Sequence, residues 1–163
     1  MTTATFLFLA FLILQRLGEL VIARRNTARL LADGAHEVGA GHYPVMVAMH
    51  AAWLAAILLL GWDEAVRLFW LILYVLLQGF RIWILGTLGR RWTTRIIVAD
   101  GPLVSTGPFK FIPHPNYALV VAEIIIAPLV LGLWGVALVF TLLNALMLRH
   151  RIKVEDAAIR PAG

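Results

Sequence analysis

Residues 101–117 read GPLVSTGPFKFIPHPNY, and they divide a chain otherwise dominated by apolar runs. Gly101, Pro102, Gly107 and Pro108 forbid a continuous helix and favour turns, while Pro113 and Pro115 hold the residues before them extended. A new apolar run then starts at His114-Pro115-Asn116-Tyr117. Pro115 suits the first turn of a helix, so backbone N–H groups face outward there beside the His114 side chain and the Tyr117 ring. Such a start attracts anionic groups. On these residues alone, a ligand-binding loop and a plain helix-start turn with a capping His114 stand level.

The composition around that segment is that of an integral membrane protein. Of 163 residues, 61% are hydrophobic and 14% charged, and the mean hydropathy is +0.87; soluble domains carry nearly twice that share of charge. The length fits a single domain over 1–163. There is no cysteine, which removes disulfides, thiolate metal sites and cysteine nucleophiles together. The net charge of +5 does not point to nucleic acid, because Lys and Arg gather at the ends of apolar runs, where orientation in a bilayer accounts for them.

Five apolar runs are expected to be transmembrane helices, at about 4–23, 43–60, 66–88, 117–131 and 133–148. With no basic stretch before it and no small-residue cleavage site after it, the first is read as a retained span. Arg16 and Glu19 share a helix face there, which predicts a mutually satisfied pair. The last two runs, separated by a turn near Gly132, span roughly 22–24 Å each at helical rise. They predict a short hairpin whose inner ends lie within the membrane boundary. Residues 24–42 read as a connecting loop, in which the six-residue spacing of His36 and His42 makes no metal site. His50 fits a hydrogen-bonded core histidine. Arg81, deep in the third run with Gln78 on the same face, is either a pocket residue or the partner of Glu19 or Glu123, and Glu123 itself needs a partner or a cavity.

Eleven of the 14 Lys and Arg residues lie in 24–29, in 90–110 and from Arg149 to Arg160. An N-terminus outside puts all eleven on the cytoplasmic side, together with the loop 89–116. Past the membrane the fifth helix is expected to continue over 149–159. Thr141, Asn144, Leu148, Arg151 and Glu155 then share one face, running from apolar to charged towards the His114 turn.

Residues 101–117, followed by a hairpin and then Arg151-Ile-Lys-Val-Glu155-Asp156, resemble the C-terminal half of the isoprenylcysteine carboxyl methyltransferase family, especially its small bacterial members. The resemblance covers about residues 90–158. RLGELVIARRN (16–26) and GAGHYP (39–44) are similar to a bacterial subgroup associated with type III polyketide synthases, whose members O-methylate long-chain alkylresorcinol or alkylpyrone phenols. The resemblance implies an all-α integral membrane protein of five helices, and an S-adenosylmethionine-dependent O-methyltransferase without a Rossmann domain. Its cofactor loop and C-terminal helix would face the cytosol at a bacterial inner membrane. By match, Gly101, Pro102, Leu103, Val104 and Phe109 line the cofactor pocket, and His114, Pro115, Asn116 and Tyr117 contact the cofactor at the helix start. Glu155 holds it from the last helix, and Arg151 is the substrate-side arginine. Beside the resemblance, the helix-face reading adds Asn144 and Arg81 as candidate substrate-binding residues. Arg151 and Glu155 are the implied catalytic pair. No metal and no obligate protein partner are expected beyond the bilayer and a lipophilic or prenylcysteine substrate. One position departs: Pro113 stands where the family commonly has Arg before His-Pro, so a charge suited to a carboxylate or to the cofactor is absent.

A carboxylate acceptor is already ionised at pH 7, whereas a phenol, with a pKa near 10, needs a base or a cation that favours phenolate. Glu155, His114, His50 and Glu123 are the candidate bases, and Arg81 or Arg151 the candidate cations. Trp83, Trp92 and Tyr117 are candidates to pack on the cationic methyl, with interface anchoring the default for the tryptophans. The rival readings are an NADPH-dependent lipid or sterol reductase, for which this chain is short and has no evident extra basic residues to hold a 2′-phosphate, and a small transporter coupled through Glu19 or Glu123.

Overall fold

A computed structural model describes residues 2–159 as five helices and one short ribbon. The helices are α1 (Thr3–Ala32), α2 (Tyr43–Leu60), α3 (Leu68–Leu88), α4 (Pro115–Val130) and α5 (Trp134–Ile159). Between them, β1 (His36–Val38) and β2 (Ile96–Val98) pair antiparallel, with His36 opposite Val98 and Val38 opposite Ile96. The chain is therefore all-α apart from a six-residue ribbon. Helices α1, α2, α3 and α5 are long and apolar enough to cross a membrane, and α4 is shorter.

Each helix has a local reason for its limits. The Thr2 hydroxyl caps α1 by accepting from the Thr5 N–H at 3.1 Å, and Pro115 sits in the first turn of α4, where its missing N–H loses nothing. Between α4 and α5 the chain reverses at Gly132, whose φ of 70° is open to glycine at little strain. The expected loop at 24–42 is shorter than the sequence reading has it. Residues 24–32 stay helical, because Arg24, Arg25 and Arg29 are good helix formers and α1, at about 45 Å, simply outruns the bilayer. Likewise, α5 is continuous through 149–159.

The shortest helix is the most enclosed. Leu119, Glu123, Ile124, Ala127 and Val130 of α4 are buried, whereas α2 buries only Trp53 and Ile57; α4 packs chiefly against α3 and α5. A segment too short to span upright is tolerated when neighbouring helices cover it. The main core joins Phe8, Leu12, Trp53, Ile57, Tyr74 and Ile124 at one end of the bundle, and a smaller one joins Ala23, Ile84, Trp92 and Leu119 towards the other. Lipid-facing positions such as Leu59, Leu76 and Leu146 remain exposed.

Because β1 follows α1 and β2 follows α3, the ribbon gathers their ends beside α5. That end carries the basic residues counted above; Arg160 lies outside the described residues. The ribbon escapes sequence reading because its strands are three residues long and flanked by loop signals. Arg95 clamps it, donating to both carboxylate oxygens of Glu37 at 3.0 and 2.8 Å. Those hydrogen bonds raise the Arg95 pKa further above the ordinary arginine value.

Candidate functional site

Two cavities meet where α4 starts. A loop-side cavity of about 380 Å³ is bounded by the β2 segment, residues 101–104, Phe109, the His114 turn and the last turns of α5. A bundle cavity of about 360 Å³ lies among α1, α2, α3, α4 and α5, lined by Arg16, His50, Trp53, Arg81 and Asn144 among others. Both fall within the roughly 300–1,000 Å³ typical of small-molecule sites. Trp92, Asn116, Tyr117 and Arg151 line both, so these four side chains form the partition between them.

The partition is held by a chain of hydrogen bonds. The Arg151 Nε–H donates to the Tyr117 hydroxyl at 2.9 Å, and that hydroxyl donates to Glu155 Oε2. Arg151 also donates to the Thr94 carbonyl and to Met46 Sδ, each at 2.7 Å; its cation lies 5.5 Å from the Tyr117 ring centroid. Arg151 and Glu155, four residues apart on α5, thus meet through Tyr117, and the surface pair that their spacing allows is replaced by a bridged triad. The His114 ring stacks on Tyr117, centroids 5.3 Å apart and planes at 18°, and its Nε2 lies 3.5 Å from Asp156. Asn116 accepts from the Trp92 indole at 3.3 Å.

The residues named from the sequence divide cleanly. Gly101, Pro102, Leu103, Val104, Phe109, His114, Pro115 and Glu155 line the loop-side cavity, Asn144 and Arg81 the bundle cavity, and Asn116, Tyr117 and Arg151 both. Four contributors were missed. Arg91, which donates to the Pro102 carbonyl at 2.6 Å, and Arg95 read only as topology charges. Met46 and Thr94 carry no signal in sequence. Trp92 is 4% exposed and faces the cavities, so it is no interface anchor; the tight turn at Gly89–Arg91 folds it inward against Leu119. Trp83 is exposed on α3, as an anchor would be.

Deeper in the bundle, Arg16 and Arg81 face Glu19 and Glu123. Arg16 reaches Glu19 at 2.9 Å and Glu123 at 2.7 Å, and Arg81 reaches Glu19 at 2.5 Å and also pairs with Glu123. Gln78 donates to Glu123 at 3.1 Å, Gln15 bridges Glu19 and Gln78, and Tyr74 donates to Gln15 at 2.7 Å. Two cations and two anions cancel, which is how charge survives inside a bilayer. The expected Arg16–Glu19 pair is one edge of this larger cluster, which engages Glu123 and Arg81 alike. His50 hydrogen-bonds the Met46 carbonyl of its own helix at 2.9 Å.

With this geometry in view, the isoprenylcysteine carboxyl methyltransferase (ICMT) family model matches residues 70–161, from α3 through α5. The chain belongs to the ICMT family. Its fold and the family together mark it as a membrane protein of a methyltransferase family. The matched region contains the partition and, Leu30 apart, the lining of the loop-side cavity, whereas the α1 and α2 walls of the bundle cavity lie outside it. Over nearly its whole length the chain is similar to the uncharacterized protein YpbQ of Bacillus subtilis (strain 168), 38% identical over 160 residues that cover 94% of this chain and 95% of that protein. No solved structure matches.

Proposed function

We propose that this protein is an S-adenosylmethionine-dependent O-methyltransferase acting on a lipophilic acceptor. The observation that carries the reading is the partition: one cavity of mixed polar and apolar lining beside a basic loop and one largely apolar cavity inside the bundle, separated by Trp92, Asn116, Tyr117 and Arg151. A water-soluble cofactor and a lipid-soluble acceptor need such an arrangement to meet.

The loop-side residues fit the cofactor chemically. Stacked His114 and Tyr117 offer aromatic faces to a purine and to a cation. Glu155 supplies a carboxylate for an ammonium group, and Arg91 with the start of α4 supplies donors for a carboxylate. When bound, S-adenosylmethionine supplies an electrophilic methyl group on a sulfonium.

What remains for the protein is positioning and charge. In-line displacement requires few covalent helpers, and holding the two reactants in register accounts for much of the acceleration. Arg151, fixed by Thr94 and Tyr117, directs a cation at the boundary of the two cavities and stabilises an acceptor oxyanion there, carboxylate or phenolate. Glu155, through Tyr117, keeps the Arg151 side chain oriented, and His114 holds the Tyr117 ring. Because Pro113 removes the family's usual charge before His-Pro, the phenol-type hydroxyl is the favoured acceptor over the prenylcysteine carboxylate. The membrane is the bacterial inner membrane, with the N-terminus outside and the loop-side cavity in the cytosol, as the clustering of basic residues at one end supports.

The test is methyl transfer from radiolabelled S-adenosylmethionine by purified protein in detergent, with a long-chain alkylphenol and a farnesylcysteine supplied side by side. Label in the alkylphenol ether is expected. Label in neither, from protein shown to be folded, counts against the reading; label in the farnesylcysteine ester alone keeps the enzyme class and reverses the choice of acceptor.

A further inference from the structure

The bundle cavity is lined by two polar side chains that the charged cluster does not use. The Asn144 carboxamide of α5 is 4% exposed and makes no side-chain hydrogen bond among the described residues. His50 lies on the stripe of α2 that faces the bundle, between Met46 and the buried Trp53. Its Nδ1 is 2.9 Å from the Met46 carbonyl oxygen. A carbonyl only accepts, so Nδ1 carries the proton and Nε2 of the neutral ring keeps the lone pair. Among the described residues Arg16 Nε is the one side-chain polar atom both buried and unpartnered. The Nε2 of His50, which has no protein partner, is therefore open to the cavity.

The other groups that could take a proton are engaged or face elsewhere. His114 and Glu155 line the loop-side cavity and not the bundle cavity. Glu19 and Glu123 are held by Arg16 and Arg81. The Tyr43 hydroxyl pairs with Thr94, and that of Tyr117 with Arg151 and Glu155. Depth agrees with this elimination. Arg151 touches Met46 at Sδ, and His50 follows one turn deeper, about 6 Å at helical rise. On α5, which packs against α2, Asn144 lies two turns deeper than Arg151, about 10 Å. An unpartnered carboxamide there suits a polar ligand better than hydrocarbon.

We propose that His50 is the general base of the methyl transfer, and that the acceptor is a hydroxyl held between His50 and Arg151. This rests on the methyltransferase reading and deepens it, because a carboxylate has no proton to give up. His50 Nε2 accepts the hydroxyl proton while the oxygen's electron pair bonds the methyl group and the methyl–sulfur bond breaks, leaving its pair on sulfur. The positive charge lost from sulfur reappears on the imidazolium, so no net charge is created inside the bilayer. The imidazolium returns its proton to water once the ether has left.

The test compares 3-dodecylphenol with a ring-nitrated analogue whose hydroxyl is mostly ionised at the assay pH. Turnover of each is measured in wild type, His50→Gln and His50→Asn, with the affinity of each protein for S-adenosylmethionine as the check on folding. Both variants are expected to lose about a hundredfold in turnover of 3-dodecylphenol, as removal of a general base does, and less than about threefold with the nitrated phenol, which needs none. A structural role for His50 would lower both alike. Equal losses with the two phenols, or no loss with either, overturn the inference while methyl transfer itself stands. Wild type that binds the cofactor but methylates only farnesylcysteine overturns it too, and wild type that methylates nothing removes the reading beneath it.

Discussion

The protein builds two clusters from the same residue types, arginine, glutamate and tyrosine, and uses them in opposite ways. In the bundle, Glu123 is fully buried and takes hydrogen bonds from three side chains, so the cluster ties α1, α3 and α4 and leaves little for a ligand. At the cavity partition, Glu155 stays half-buried, receives the Tyr117 hydroxyl and faces the loop-side cavity. What separates a fastening from a candidate site is thus the degree to which the carboxylate is saturated. Position in the bilayer explains it: a carboxylate surrounded by hydrocarbon must be matched in full, whereas one beyond the membrane can wait for a ligand.

Breaking that contrast at its strongest point means removing Glu123. Glu123→Ala leaves two buried guanidinium groups with one carboxylate, and is expected to destabilise the fold by about 3–5 kcal/mol, read as a large fall in the thermal midpoint in detergent. Arg151→Gln is expected to act in the reverse sense, lowering turnover about a hundredfold through loss of oxyanion stabilisation, with a cofactor dissociation constant that calorimetry finds changed by less than about threefold. Tyr117→Phe keeps the ring stacked on His114 but removes the bridge between Arg151 and Glu155; about a tenfold loss of turnover corresponds to the one or two hydrogen bonds lost, with the circular dichroism unchanged. Smallest of all, Glu37→Ala releases the half-exposed Arg95 on the ribbon. A change of less than about 1 kcal/mol in unfolding free energy is expected there, and a larger one would mean that the ribbon, not the helices, organises the loop.

The same contrast explains what could be read from the sequence. Long apolar runs declare themselves by length, so the helices and the basic end were visible. The phase of α5 put Asn144, Arg151 and Glu155 on one face, and the Gly/Pro-rich segment 101–117 marked the loop-side wall. Contacts between distant segments were less legible. Arg16 and Glu19 read as a local pair because three-residue spacing is visible and a partner 107 positions away, Glu123, is not. Trp92 read as an anchor because composition alone cannot say which way a turn folds an indole. The ribbon of His36–Val38 with Ile96–Val98 rests on pairing across about sixty residues, and nothing local announces it.

The central claim, that the cavity closed by His114, Tyr117 and Glu155 binds S-adenosylmethionine, is tested most directly by calorimetric titration of the detergent-purified protein. Saturable binding at micromolar or tighter dissociation constant is predicted for wild type, with loss of measurable heat in His114→Ala and Glu155→Ala at an unchanged thermal midpoint. Absence of binding to wild-type protein that unfolds cooperatively, or undiminished binding in both variants, would contradict the account.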